Sequence, residues 1–288
     1  MSSSLVVLED DRTRAEIVPD QGARVRSLTD RGTGRELLYR RPVERWDPQD
    51  YLATMAGGWD QMFPNDDPWR GFPVHGVLWA ARFRVESLSA RAAVLGCTLA
   101  EPAVRVEHLY ELLDAPRRGL RLTTTMQAAA EVAPFLWATH PMLAVEPGWV
   151  IDVGDVTLDA DDTDPGRVAV GRLSPEARST VSTLPAGGQG WQEVLYAPAS
   201  GAASVTSADR KAGTRVTWDA GYFRHLWIVT LSGFASVDLA LVLEPCTTRP
   251  YRLDEAIEAG TAVMLAPGET RTVWSEVESL DEDSAPSA

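Results

Sequence analysis

The stretch Val242–Pro267, VLEPCTTRPYRLDEAIEAGTAVMLAP, decides how the rest of the chain is read. A hydrophobic run from Val237 to Leu243 carries a single carboxylate, Glu244, to the expected end of a strand. Pro245 disfavours helical geometry at the glutamate and pushes it towards an extended conformation. Leu253, Ala256 and Ile257 then recur at helical spacing, and Gly260 stands where a short helix would end. A carboxylate fixed where a buried strand stops is a natural general base, because the backbone sets its direction of approach. The same pattern also describes an ordinary strand end whose glutamate points into water, so its meaning depends on partners elsewhere in the chain.

The bulk composition narrows those partners. The chain has 288 residues, and its 27 basic against 41 acidic side chains leave a net charge of −14. Nucleic acid and anionic membrane surfaces are poor partners for such a chain, since phosphate neutralisation needs clustered Lys and Arg. Nearly all the positive charge is arginine, Lys211 being the only lysine. Cys97 and Cys246 are isolated and form neither a metal pair nor a disulfide framework. The opening MSSSLVVLEDD lacks the basic region of a signal peptide. No window approaches the roughly 18 apolar residues that a membrane helix requires. The expectation is a soluble cytoplasmic protein, a monomer or homodimer.

Strand patterns dominate. Val104, Val106, His108, Tyr110 and Leu112 alternate with polar residues, and after the turn APRRG the alternation resumes at Leu120, Leu122, Thr124 and Met126. Further strands are expected at Val150–Val156, Val216–Trp218, Phe223–Leu231, Val237–Leu243, Val263–Leu265 and Thr270–Val277. At least ten short strands with turn punctuation and little helix predict an all-β sandwich or barrel. Without a composition break, residues 1–280 read as one domain, and 281–288 as an acidic, disordered tail. One segment stands apart: Arg40–Pro73 is long, irregular and rich in Trp and Pro, which favours a functional loop.

Four histidines are candidates for chemistry. His108 shares an apolar strand face with Val106 and Tyr110 and reads as a core residue; His225 reads as packing. His75 lies between Pro73 and Gly76, and His140 follows an aromatic strand and precedes Pro141, so both are held in stiffened positions. No His-x-x-x-His pair exists and neither cysteine is near a histidine in sequence, so no metal is expected. The acidic run Asp159–Asp164 has Asp164 where a calcium loop needs glycine and Val170 where it needs the closing glutamate. AGGQGWQE lacks the third glycine of a dinucleotide loop, and no nucleophile elbow or phosphate loop is present, so no cofactor is expected.

Four pieces, in order, resemble the aldose 1-epimerase (galactose mutarotase) family, in particular a bacterial subgroup. They are IVPDQGARVRSLTD; GGWDQMFPN with PVHGVLW; ATHPML; and LEPCTTRPYRLDEAIEAGTAVMLAPGET. The resemblance implies a β-supersandwich and a cofactor-free interconversion of the α and β anomers of a small-molecule sugar. By position, Glu244 would be the base that takes the anomeric hydroxyl proton, and His140 the acid that protonates the ring oxygen. His75 would hydrogen-bond the sugar. A histidine with an ordinary pKa near 6.5 is only about a quarter protonated at pH 7, so such a site should raise it.

Some positions depart from the family pattern. The Arg-x-x-Asn-Arg run of galactose-acting members does not precede His75; Asn65, Asp66 and Arg70 occupy that region and are the substrate-binding candidates there. Trp59 and Trp79, like Trp137, offer apolar faces suited to a sugar ring, and core packing accounts for each equally well. The sugar-binding aspartate has only Asp152 and the 159–164 cluster as candidates. Two alternatives stay open: a hexose-6-phosphate 1-epimerase, with Arg70, Arg82 and Arg224 as phosphate partners, and a non-catalytic carbohydrate-binding β-sandwich of the same fold.

Overall fold

The computed structural model describes residues 5–43, 45–154, 156, 158–160, 181–188 and 190–281. The acidic tail beyond Asp281, and Asp161, Asp162 and Asp164 of the aspartate run, lie outside the described residues.

Two large sheets form the body. In the first, the path is Val6–Glu9, Thr13–Val18, Arg24–Asp30, Trp59–Met62, Ala138–Leu143, Val237–Cys246, His225–Phe234, Trp191–Pro198 and Asp159–Ala160, with Arg35–Glu36 paired off the path to Arg24–Asp30. The second runs Val181–Thr183, Val150–Asp152, Ala202–Thr206, Ala212–Trp218, Thr270–Asp281, Gly119–Ala128, Val104–Leu112, Ala92–Leu99 and Arg84–Leu88. A separate ribbon pairs Val132–Phe135 with Val263–Leu265. The pairings within the named strands are antiparallel. The sheets stack face to face over one apolar cluster, to which Leu28, Trp59, Leu241 and Leu243 come from the first and Val106, Leu122, Val216 and Val277 from the second. Polar stitches cross the same interface: Gln61 Nε2 donates to Thr124 Oγ1 at 2.7 Å, and the Thr139 and Ser275 hydroxyls meet at 3.1 Å. This is an all-β supersandwich with little helix.

The alternation read from the sequence follows from the pleat, because successive side chains leave a strand on opposite faces. Along Val104–Leu112, buried and more exposed residues alternate. His108 is buried there beside Phe83 and Tyr110, its Nδ1 3.1 Å from Thr124 Oγ1, and burial pushes its pKa down to about 3. Val237–Cys246 lacks such alternation because it is central and covered on both sides. Leu241 and Leu243 enter the intersheet core, whereas Ala240 and Val242 pack outward against Tyr51, Met55 and Trp79.

The structure differs from the sequence reading in two places that matter for function. Glu244 is not the strand terminus, since the strand continues through Pro245 to Cys246. The segment 40–73 is not irregular throughout: it holds a short helix, Tyr51–Thr54, capped by Asp50 on the Ala53 N–H, and the strand Trp59–Met62. All four residues of that strand are buried, so it shows no polar–apolar alternation for a sequence reading to detect. The preceding glycines are required by close approach. A Cβ on Gly57 would lie 2.2 Å from Tyr39 O, and one on Gly58 2.5 Å from Val25 O. The short helix Leu253–Glu258 and its end at Gly260, with φ +70°, match the sequence pattern. Among the described residues no helix is long and apolar enough to cross a membrane.

Leu243→Ala should cost about 2–5 kcal/mol in chemical denaturation, because it opens a cavity between the sheets. Leu88→Ala, at an exposed position, should stay within about 0.5 kcal/mol of wild type. Equal losses at both positions would contradict this placement of the core.

Candidate active site

The outer face of the first sheet carries a line of ionisable and aromatic side chains. Three strands supply it through their register. His140 sits opposite Asp60, and the pairs Ala138–Cys246 and Met142–Val242 bracket His140 against Glu244. Glu244 in turn pairs with Trp227, and Trp227 with Tyr196. Directly opposed residues on neighbouring strands lie about 4.5–5.5 Å apart, so Asp60, His140, Glu244 and Trp227 form a cross-strand row. The threonine of Glu-Pro-Cys-Thr helps to hold that row together. Thr247 Oγ1 accepts from the Trp137 N–H at 3.0 Å, and the Thr247 N–H donates to Trp137 O at 3.0 Å.

His75 arrives from outside the sheet. Its backbone has φ +66°, in the left-handed region that non-glycine residues seldom occupy. The His75 N–H donates to Asp66 O at 2.6 Å, and Gly76 passes so close to Phe63 that a Cβ there would lie 2.1 Å from its carbonyl oxygen. Thus pinned, the His75 Nε2 reaches 3.4 Å from Asp60 Oδ1, the same oxygen that His140 Nδ1 approaches at 3.2 Å. Tyr51 stacks on His75 with 3.8 Å between ring centroids and 6° between planes, and its hydroxyl lies 3.4 Å from His140 Nδ1. Trp79 packs edge-on to Tyr51, and Trp46 edge-on to Trp79.

The electrostatics separate the two imidazoles. Burial lowers the His75 pKa and Asp60 only partly offsets it, so His75 is neutral at pH 7. Burial also works against a charged His140, but the Glu244 and Asp60 carboxylates outweigh it and lift the pKa to about 9. Burial would raise the Asp60 carboxyl; the two histidines overcome that and hold it well below the usual carboxylate range. Tyr51 is buried beside Asp60 and Glu244, which raises its phenol far above the ordinary value and keeps it protonated. With its Nδ1 turned to Asp60, His140 has Nε2 left as the second nitrogen of a protonated ring.

A cavity of about 180 Å³ opens on this row, bordered also by Met62, Asp66, Gln192, Trp227 and Tyr251. Of the residues singled out from sequence, the structure brings Glu244, His140, His75 and Asp66 to the cavity. It places the others elsewhere. Asn65 is buried and its amide donates to Asp67 O at 2.7 Å and Pro73 O at 2.8 Å, which shapes the loop. Arg70 is exposed and lies over the Trp69 ring. Trp59 points into the intersheet core with its indole N–H on Thr139, and Trp79 stands behind Tyr51 with its N–H on Gly76 O. Asp152 is exposed on the other sheet, and Asp159 pairs with Arg249. Asp60, Tyr51 and Trp227 were not found by the sequence reading. The signal for Asp60 was a lone acid between Trp and Gln in a segment read as loop.

Asp60 Oδ1, His75 Nε2 and His140 Nδ1 also lie within 4.8 Å of one another, a donor set of the kind that holds divalent cations. Metal binding requires neutral imidazoles. The raised proton affinity of His140 opposes it.

No family model and no curated protein matches the chain. Solved structures do. A candidate aldose 1-epimerase from Escherichia coli K12 superposes with a TM-score of 0.72 at 16% identity, over 96% of this chain and 99% of that one. A galactose mutarotase-like protein from Lactobacillus casei gives 0.67 at 16% identity, over 96% and 100%. The Slr1438 protein of Synechocystis sp. PCC 6803 gives 0.70 at 18% identity, over 98% and 97%. The chain has the galactose mutarotase-like fold.

Removing the shared acceptor tests the electrostatic account. In Asp60→Asn, the His140 pKa measured by NMR titration of the imidazoles should fall from about 9 towards the ordinary histidine range. An unchanged His140 titration would show that Asp60 does not hold its proton.

Proposed function

We propose that this protein is an aldose 1-epimerase, a mutarotase that interconverts the α and β anomers of a free sugar. The observation that carries the reading is the row itself: a carboxylate and a protonated imidazole on adjacent strands, facing one cavity. In this scheme Glu244 takes the proton from the anomeric hydroxyl as the bond between the anomeric carbon and the ring oxygen breaks. The ring oxygen receives that electron pair and takes a proton from His140. The open-chain aldehyde rotates, and the ring oxygen adds to its other face. Its proton returns to His140, and Glu244 gives its proton back to the new anomeric oxygen. Every proton is restored at the end of the cycle, so no co-reactant is consumed.

The roles follow from the charges. A general acid must hold its proton at working pH, and a pKa of about 9 gives His140 that property. Neutral His75 hydrogen-bonds the sugar and braces Asp60, which orients His140. Trp227 and Tyr251 line the cavity as aromatic surface for the apolar side of a sugar ring. The lining includes Asp66, Asp67 and Glu244 and, among the described residues, neither arginine nor lysine. A phosphorylated sugar would meet repulsion there, which favours an unphosphorylated substrate over a hexose 6-phosphate.

Fresh α-D-glucose and α-D-galactose, followed by polarimetry or NMR, provide the test. Anomer equilibration should be faster with protein for at least one sugar. Glu244→Gln and His140→Asn should each lower the enzymatic rate by about 10²-fold or more. Unaltered turnover in Glu244→Gln would remove it as the base, and sugar binding without acceleration would assign the fold to a binding module.

The pH profile gives a second test. His140 acts while protonated, so activity should be retained below, and fall as pH rises through, about 9. A rate that climbs across that range would contradict an acid role for His140.

A further inference from the structure

A second cleft lies apart from the row, lined by Gln21, Arg24, Arg26, Arg40, Arg41 and Trp46 among others. At about 610 Å³ it is roomier than the 180 Å³ cavity beside Glu244. Four arginines line it in a chain whose net charge is −14. Two have carboxylate partners: Arg26 Nε donates to Glu16 at 2.7 Å, and Arg40 Nη1 to Glu36 at 3.0 Å. Among the described residues, the other two bond only to neutral groups. Arg41 Nε donates to Met55 O at 2.6 Å. Arg24, 7% exposed, donates to Gly57 O at 2.6 Å and Gln21 Oε1 at 2.7 Å, and its Nε is buried with no partner.

A buried guanidinium without a bonded counter-ion is costly. Asp60 is the charge that favours Arg24, but its carboxylate already serves His75 and His140. No carboxylate lines the cleft among the described residues. We propose that this cleft is a binding site for a phosphate-class oxyanion, separate from the cavity of the candidate active site. Arginines from Arg24–Asp30 and from the segment after Tyr39 that line one cleft match an anion bearing several acceptor oxygens and more than one charge, because each guanidinium fork can bind in a bidentate manner. The source is either free phosphate or the phosphoryl group of a larger metabolite. The inference does not depend on the mutarotase reading.

Inorganic phosphate titrated into the full chain, by calorimetry in phosphate-free buffer at fixed ionic strength, should bind at one saturable site. Arg40→Ala/Arg41→Ala should weaken it about tenfold or more, since each charge-assisted bond is worth roughly that factor. Arg40→Ala alone, at an exposed position, should weaken it in the same direction and serves if the double variant does not fold. Arg84→Ala, an exposed arginine away from the cleft, and Glu244→Gln should leave the affinity unchanged. Displacement of phosphate by glucose 6-phosphate, with the same arginine dependence, would identify the source as a phosphoryl group; failure to displace it would identify free phosphate. No saturable binding at low-millimolar phosphate, or equal weakening by Arg84→Ala, would overturn the proposal.

Discussion

The antiparallel register of four adjacent strands is the constraint on which the candidate site depends. Side chains that share a face and oppose one another across a ladder have no choice of neighbour. With Asp60 paired to His140 and Glu244 paired to Trp227, the hydrogen bonds that build the sheet also set the spacing of the charged groups. A slip of one residue in any of these strands would turn its contribution from the cavity into the intersheet core. That core therefore protects the site. Trp59, Thr139 and Leu243 lie on the inner face beside Asp60, His140 and Glu244, and each is buried in contacts that a slipped register would break.

The outer face around the row is covered too, by Tyr51, Met55 and Trp79 on one side and by Tyr251 and Leu253 on the other, and this burial gives the charges their character. In water a histidine between two carboxylates would gain little, because the solvent screens them. Beneath Tyr51 and its aromatic backing, the same arrangement divides two imidazoles into one neutral and one protonated ring. The cover has a local cost. His75 is held in a left-handed backbone conformation of about 1–3 kcal/mol, which persists only because surrounding bonds enforce it. Such strain concentrates where a side chain must be aimed, and here it aims an imidazole at Asp60.

Much of the fold was legible in the sequence, because paired strands with one solvated face write a period of two into the chain. Val104–Leu112 and Gly119–Ala128 show it plainly. Glu244, His140 and His75 could be singled out because proline or glycine beside each one marks a fixed backbone. Asp60 could not. Its strand is four residues long, buried throughout and entered through two glycines whose need is set by contacts with Tyr39 and Val25, distant in sequence. The same non-locality hides the packing role of Trp59 and Trp79, whose large apolar faces suit a sugar but are consumed by the core. Arg24 is likewise unremarkable in sequence; only the folded chain shows its guanidinium buried and bonded to neutral groups.

In the proposed function, the Asp60–His140–Glu244 row handles an anomeric centre. The most direct test is a crystal structure of the Glu244→Gln variant soaked with the sugar that wild type equilibrates fastest. The sugar should lie in the cavity against Trp227, with its anomeric hydroxyl in hydrogen-bond reach of residue 244 and its ring oxygen facing His140 Nε2. A sugar bound elsewhere, or bound in the cavity with its anomeric carbon turned away from the row, would contradict it.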